Sequence, residues 1–299
     1  MTRVKAYIKE VGARSRLDIL FISHVHADHL NGLPQLLDKT GGLAVDTIVL
    51  PYFNVIERLI GYAWNAIEDP AAARNQFYRE FVAAPVAALS SFGPRQILQV
   101  RSAGPGGGGM PGPDDIVPPD GGRDIRGPDG ADTDLGWKLV GRGGVATSMP
   151  TTTTGVPVYD VPDTTGVALP LPGEHRSYWL LSPFIDPVVS SQQTEFEDIL
   201  LEVLNEGKPA AKRMTQVFFQ DWLCQTANIK KLVTTRVGAL KAAYEECAAD
   251  LNMTSLCLFS GPLPDQNSRI QRLDVQFGRW HTSTTDKISW LATGDAALR

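Results

Sequence analysis

The chain has 299 residues, of which 43% are hydrophobic and 20% charged, with a formal net charge of −5. That length and balance suit a soluble globular protein able to bury a sizeable core, and the acidic net charge removes the broad basic footprint of a general nucleic-acid binder. No run of eighteen apolar residues and no basic-then-apolar leader can be read, so neither a membrane span nor a signal peptide is expected, and the chain is read as cytoplasmic.

In chain order, Val4 to Val11 has a helical pattern, and Leu17-Asp18-Ile19-Leu20-Phe21-Ile22 reads as a buried strand. The strand runs into His24-Val25-His26-Ala27-Asp28-His29, and a helix is expected from about His29 through Leu37. Thr47 to Leu50 is the next strand. A long helical stretch follows from Asn54 to Leu89, with breaks expected at Asp69-Pro70 and Ala84-Pro85, because proline cannot continue a helix from the preceding turn. Gln96 to Val100 is again a strand. This alternation argues for a layered α/β architecture.

From 103 to 136 glycine, proline and aspartate dominate. The segment cannot bury enough apolar surface to order itself, and no helix pattern follows Gly104-Pro105-Gly106-Gly107-Gly108-Gly109 to make it a phosphate cradle, so a mobile insertion is expected. Thr151-Thr152-Thr153-Thr154 reads as a loop or edge strand. Ser177 to Leu181 reads as a strand closed by Pro183. Helices are expected over Thr194 to Asn205 and Asn228 to Ala249, with Phe218, Phe219 and Trp222 between them as a core group. The helical insert, 209–250, is expected to cap one face of the sheet and to shape access to it. Cys224, Cys247 and Cys257 lack paired metal-site spacing and read as free thiols of a reducing compartment.

Three of the five histidines fall within six positions at one strand end. His24 and His26 are two apart and share a side of extended backbone, while Asp28 and His29 open the helix that follows. Imidazole nitrogen with carboxylate oxygen is a ligand set for zinc, with iron or manganese as alternatives.

His-x-His-x-Asp-His after an apolar strand resembles the signature of the metallo-β-lactamase-like hydrolases. Ala6 through Leu37 looks like that superfamily's helix–strand–metal loop–helix unit, and Val45 to Pro51 like its next strand. Thr254 to Phe259, followed by Ile288-Ser289-Trp290-Leu291-Ala292-Thr293-Gly294-Asp295-Ala296, is similar to a late strand pair ending at the family's Gly-Asp position. This pattern is most similar to the lactamase-like domain of bacterial competence DNA-uptake proteins and their soluble relatives. The resemblance implies one domain over 1–299 with a four-layer αββα sandwich. It implies two Zn2+ ions (Mn2+ or Fe2+ as alternatives), the first held by His24 and His26, the second by Asp28 and His29, with Asp295 bridging. Asp28 would also orient the attacking water, and Ser23, Asn31 and Thr293 would support the ligands from behind. The implied activity is hydrolysis of phosphodiester, nucleotide or nucleic-acid substrates, a metal lowering the pKa of bound water from about 15.7 to near 7.

Other readings stand beside it: a lactam or thioester hydrolase, or a catalytically silent metal-binding module that docks a protein partner through the helical insert. The pattern also has departures. Full dinuclear members supply another histidine mid-chain and one after the Gly-Asp pair, whereas here the remaining histidines are His175 and His281. The family's opening strand hairpin does not precede Val4. The chain therefore reads as a member truncated at both ends, with an uncovered sheet edge near Ile22 and a weakly held second metal as the expected consequences.

Overall fold

A computed structural model describes residues 2–11, 16–38, 42–102, 137–141, 147–148, 155–170, 178–185, 190–247, 256–262 and 290–292. The expected insertion at 103–136, the threonine run at 151–154, and His175, His281, Thr293 and Asp295 lie outside the described residues.

The described residues form an α/β fold with two five-stranded sheets. In the first, β1 (Arg16–Phe21), β2 (Ala44–Pro51), β3 (Gln96–Arg101) and β6 (Val158–Pro162) are parallel and lie in that order, and β5 (Thr147–Ser148) adds antiparallel to β6. The second is antiparallel, in the order β10 (Trp290–Ala292), β9 (Leu256–Pro262), β8 (Tyr178–Ile185), β7 (Thr165–Pro170) and β4 (Lys138–Gly141). Strand periodicity explains how both faces of the first sheet are used. Ile48, Leu50, Ile97 and Val158 point to one side and join the helices in the larger core. Val49, Leu98, Val100 and Val161 point to the other and meet Leu139, Val167, Ile185 and Leu256 of the second sheet. A strand buried on both faces reads as an unbroken apolar run, and β2 is buried at every position after Ala44.

The helices follow local chemistry. α1 (Thr2–Val11) packs on α3 (Leu33–Leu36), which together with α2 (Ala27–Leu30) replaces the single helix expected after His29; Pro34 sits in the first turn of α3, where proline is tolerated. α4 (Val55–Glu68) opens with a capping box: Asn54 Oδ1 accepts the Glu57 N–H at 2.9 Å and Glu57 Oε2 accepts the Asn54 N–H at 2.8 Å. The expected proline breaks are there, giving α5 (Pro70–Ala73), α6 (Gln76–Ala83) and α7 (Pro85–Ser90). Gly93, just beyond α7, takes a left-handed φ of 74°, which only glycine adopts freely.

Further sequence expectations are corrected. β8 is not closed by Pro183 but runs through it to Ile185, paired with β9. The β7 ladder stops at Leu181, so the strand has no partner on that side at Pro183 among the described residues, and a missing N–H is tolerated there. In place of one helix over 228–249 the described residues form two, α10 (Thr226–Thr235) and α11 (Val237–Cys247), separated at Arg236. The described helices of the insert pack on other helices and share their core with the first sheet. α11 lies on α4 and on α8 (Ser190–Asn205), and α10 lies on α6, because Leu232, Val233, Leu240 and Ala243 extend the apolar core outward from α4 and α6. Phe219 of α9 (Gln216–Leu223) is buried and stacks on Trp222, whereas Phe218 is 56% exposed.

β1 is the edge strand of its sheet, paired only with β2 among the described residues. No described helix is long and apolar enough to cross a membrane. Helices cover one face of the first sheet, and an outer helical layer on the second sheet is not among the described residues.

Candidate metal centre

Four parallel strands bring their carboxyl ends to one edge of the first sheet, the edge at which α/β proteins bind ligands. The histidine loop leaves β1 at that edge. Its entry is fixed by two backbone bonds: the Ile22 N–H donates to the Val49 carbonyl at 2.8 Å, and the Leu256 N–H donates to the Ser23 carbonyl at 2.7 Å. The second bond joins the loop to the first residue of β9, so the two sheets meet behind it. On the same edge Arg101 lies 3.3 Å from the centroid of the Tyr52 ring and pairs with Asp160 at 3.0 Å.

Of the predicted ligands, His24, Asp28 and His29 come together, each with a ligand atom within 4.8 Å of the others. A tetrahedral shell with bonds of about 2 Å places its ligand atoms roughly 3.4 Å apart, so a small contraction would close the group on a cation. The Asp28 carboxylate and His29 Nε2, 3.5 Å apart, already have that spacing. The burial is graded. His24 is fully buried, its Nε2 included, while Asp28 is an exposed carboxylate with 71% of its side chain open to solvent.

Ser23 organises two of the rings. Its Oγ is 3.0 Å from His24 Nδ1 and 3.2 Å from His29 Nδ1. When both imidazoles donate from Nδ1 into the two lone pairs of that oxygen, both present Nε2 as a lone pair, the state a metal ligand needs. The two rings lie with centroids 3.9 Å apart.

His26 is held differently. Its ring stacks on Trp64 of α4, with centroids 4.3 Å apart and planes 15° from parallel, and meets the His24 ring edge-on at 4.6 Å. His26 is therefore beside the group of three, its plane set by an indole. The sequence did not single out Trp64; inside an apolar helical pattern nothing distinguishes an aromatic residue that braces a loop from one that fills a core.

Asn65, next to Trp64, carries the loop's second anchor. Its Oδ1 accepts the Ala27 N–H at 3.1 Å at the start of α2, while its Nδ2 donates to the Gly61 carbonyl at 2.8 Å and to Tyr78 Oη at 2.9 Å. Burial pushes the Tyr78 hydroxyl well above the usual phenol range, with the nearby Tyr62 and the Asp28 carboxylate adding to the shift. Asn31 is not behind the ligands. Its amide donates to the Ala72 carbonyl at 3.1 Å and ties α2 to α5. Asp295 lies beyond the described residues, but the strand leading to it is described. Antiparallel β10 ends at Ala292, opposite Leu258, two residues from the Leu256 that is bonded to Ser23.

No protein-family model, curated protein or solved structure matches the chain.

Proposed function

We propose that the chain is a metal-dependent hydrolase of the metallo-β-lactamase-like type, with its centre built on His24, His26, Asp28 and His29 and with phosphodiester or nucleotide substrates. The observation that carries this reading is the convergence of His24, Asp28 and His29 within 4.8 Å at the carboxyl edge of a parallel sheet. Two features of the chain favour a four-layer αββα sandwich: helices cover one sheet, and that sheet's other face packs on an antiparallel one. The path of β10 toward the Ser23 end of β9 supports Asp295 as a further ligand.

The donor set is nitrogen and oxygen, which fits Zn2+ and equally Mn2+ or Fe2+. A bound divalent ion supplies Lewis acidity and water of lowered pKa. The chain's residues do the remainder. Ser23 fixes the tautomers of His24 and His29, Trp64 fixes the plane of His26, and Asn65 holds the backbone at Ala27. Asp28 is the exposed carboxylate at the centre, in position to orient an attacking water and accept its proton. A phosphodiester's anionic oxygens would be drawn to the cation, which offsets the chain's acidic net charge.

Protein purified without chelator and assayed with zinc, manganese and iron against phosphodiester, nucleotide, lactam and thioester substrates tests this reading. Metal-dependent turnover of the first two, lost in Asp28→Asn, is expected. Turnover by the His24→Ala/His26→Ala double variant equal to that of the parent would reject it. A second reading, a metal-binding module that docks a partner, is favoured by Val217 and Phe218, adjacent on α9 and 72% and 56% exposed. In that case the parent binds metal and hydrolyses none of the four classes.

A further inference from the structure

A second charged site, lined by none of the histidine-loop residues, lies where α6 faces α10. Arg74, Arg79 and Lys230 converge on a hollow of about 320 Å³, with Gln76, Glu80 and Thr234 on its walls. Three cations and one carboxylate leave a formal charge of +2 there, in a chain whose total is −5. The carboxylate is already engaged, since Glu80 accepts a hydrogen bond from Gln76 at 2.8 Å.

Arg79 is preorganised. The buried Tyr62 hydroxyl donates to the Val233 carbonyl across the α4–α10 contact at 2.6 Å, and the same oxygen accepts the Arg79 Nε–H at 3.3 Å. Gripped at Nε, the guanidinium keeps its two terminal nitrogens as a fork for paired oxygens, the geometry that matches phosphate. Lys230 comes from the opposite helix as a point charge, and Gln76 adds an uncharged donor through its second amide proton, while the Thr234 hydroxyl donates within α10 to the Lys230 carbonyl at 2.7 Å. The open mouth means that salt screens the attraction.

From this arrangement we infer that the hollow binds a diphosphate group, either free or carried by a nucleotide. The cations reach the hollow from two sides, Arg74 and Arg79 from one and Lys230 of α10 from the other, so a diphosphate can offer one phosphate to each, and 320 Å³ accommodates it with its solvation. The site shares no lining residue with the metal centre, and the inference does not rest on the hydrolase reading.

The test is calorimetric titration at low ionic strength with inorganic pyrophosphate and, separately, with ADP. It uses the full chain and the His24→Ala/His26→Ala variant, in which chelation of a bound metal by the phosphate cannot contribute. Both proteins are expected to bind pyrophosphate alike, about tenfold more weakly in Arg79→Ala and in Lys230→Ala, and more weakly as salt is raised. Equal affinity for ADP identifies the diphosphate alone as the recognised group; tighter binding of ADP adds contacts to the nucleoside. Tyr62→Phe keeps the packing of the ring but frees Arg79, and is expected to weaken binding while Arg79 is present and to change nothing in the Arg79→Ala background. Absence of binding at millimolar pyrophosphate, or unchanged affinity in Arg79→Ala and Lys230→Ala, would overturn the inference. Loss of binding in the histidine variant alone would assign the phosphate to the metal centre and overturn it too.

Discussion

Ser23 and Trp64 decide how the histidine loop presents its nitrogens, and neither offers a ligand atom of its own. A side chain that holds a metal-ligating imidazole typically changes metal affinity by about 10–100-fold when removed. Ser23→Ala is therefore expected to weaken zinc binding within that range in a competition titration with a chromogenic chelator, whereas Ser23→Thr, which keeps the oxygen, retains most of the affinity. Trp64 acts through its ring face. With a centroid 4.3 Å from His26, its emission should fall when Co2+ occupies the centre, and the Trp64→Phe variant should lose that quenching while keeping the cobalt absorption spectrum. Trp64→Leu, which has no ring to stack, is expected to alter the spectrum. If Trp64→Leu and the parent gave identical cobalt spectra, Trp64 would be mere packing.

At the scale of elements, α4 is the part on which the site leans, because it carries Trp64 and Asn65 on consecutive positions while its far end is capped by Asn54. Asn54→Ala should cost about 1 kcal/mol of stability in urea unfolding, the usual worth of an N-cap, without touching the loop. Asn65→Ala should cost more, about 1–3 kcal/mol, because it leaves the buried Ala27 N–H without its acceptor and strips the Tyr78 hydroxyl of one of its two hydrogen bonds. It should also weaken metal binding, which separates the two variants.

These elements also show what could be read from sequence. The strand before the histidines, the Thr47–Leu50 strand, the Gln96–Val100 strand and the proline breaks at Pro70 and Pro85 were legible because period, β-branching and proline are local signals. The clustering of His24, Asp28 and His29 was legible for the same reason, being six residues of one loop. Trp64 and Asn65 were not, since they reach the loop from 38 residues away (the Asn65–Ala27 separation) and only tertiary packing brings them there. Pro183 misled because the rule against proline in a strand depends on whether a neighbour needs its N–H, which the sequence does not show. The split at Arg236 was hidden by helical periodicity that continues on both sides of it. Asn31 looked like support for the site because it is near it in sequence, yet its side chain turns toward α5.

For the molecule as a whole, pH and metal should both move stability in directions that can be worked out. Tyr78 has a folded pKa raised by burial above its value of about 10 in the unfolded chain. Its neutral form is favoured only in the fold, so its contribution is intact below pH ~10 and is lost as pH rises above that toward the folded pKa. Arg58, lowered by burial to about 10, has the opposite sign over the same range, because the penalty of its buried charge is relieved as it deprotonates. Comparing Tyr78→Phe with the parent cancels the Arg58 contribution. The variant is expected to lose less stability between pH 9 and pH 11 in guanidinium unfolding, and an unchanged slope would remove Tyr78 from the account. Metal acts by mass action. Zinc at about 100 times its Kd should add about 2.7 kcal/mol to the parent, seen as a rise in Tm, and nothing to the His24→Ala/His26→Ala variant.

The most direct test of a centre built on this loop is the zinc K-edge X-ray absorption of the metal-loaded protein. Cys224 is exposed and is the competing zinc-binding side chain among the described residues. A shell of nitrogen and oxygen at about 2.0–2.1 Å, with the multiple-scattering pattern of at least two imidazoles and its loss in His24→Ala/His26→Ala, is expected. Scattering from sulfur at about 2.3 Å, or a shell that the double variant leaves unchanged, would contradict it.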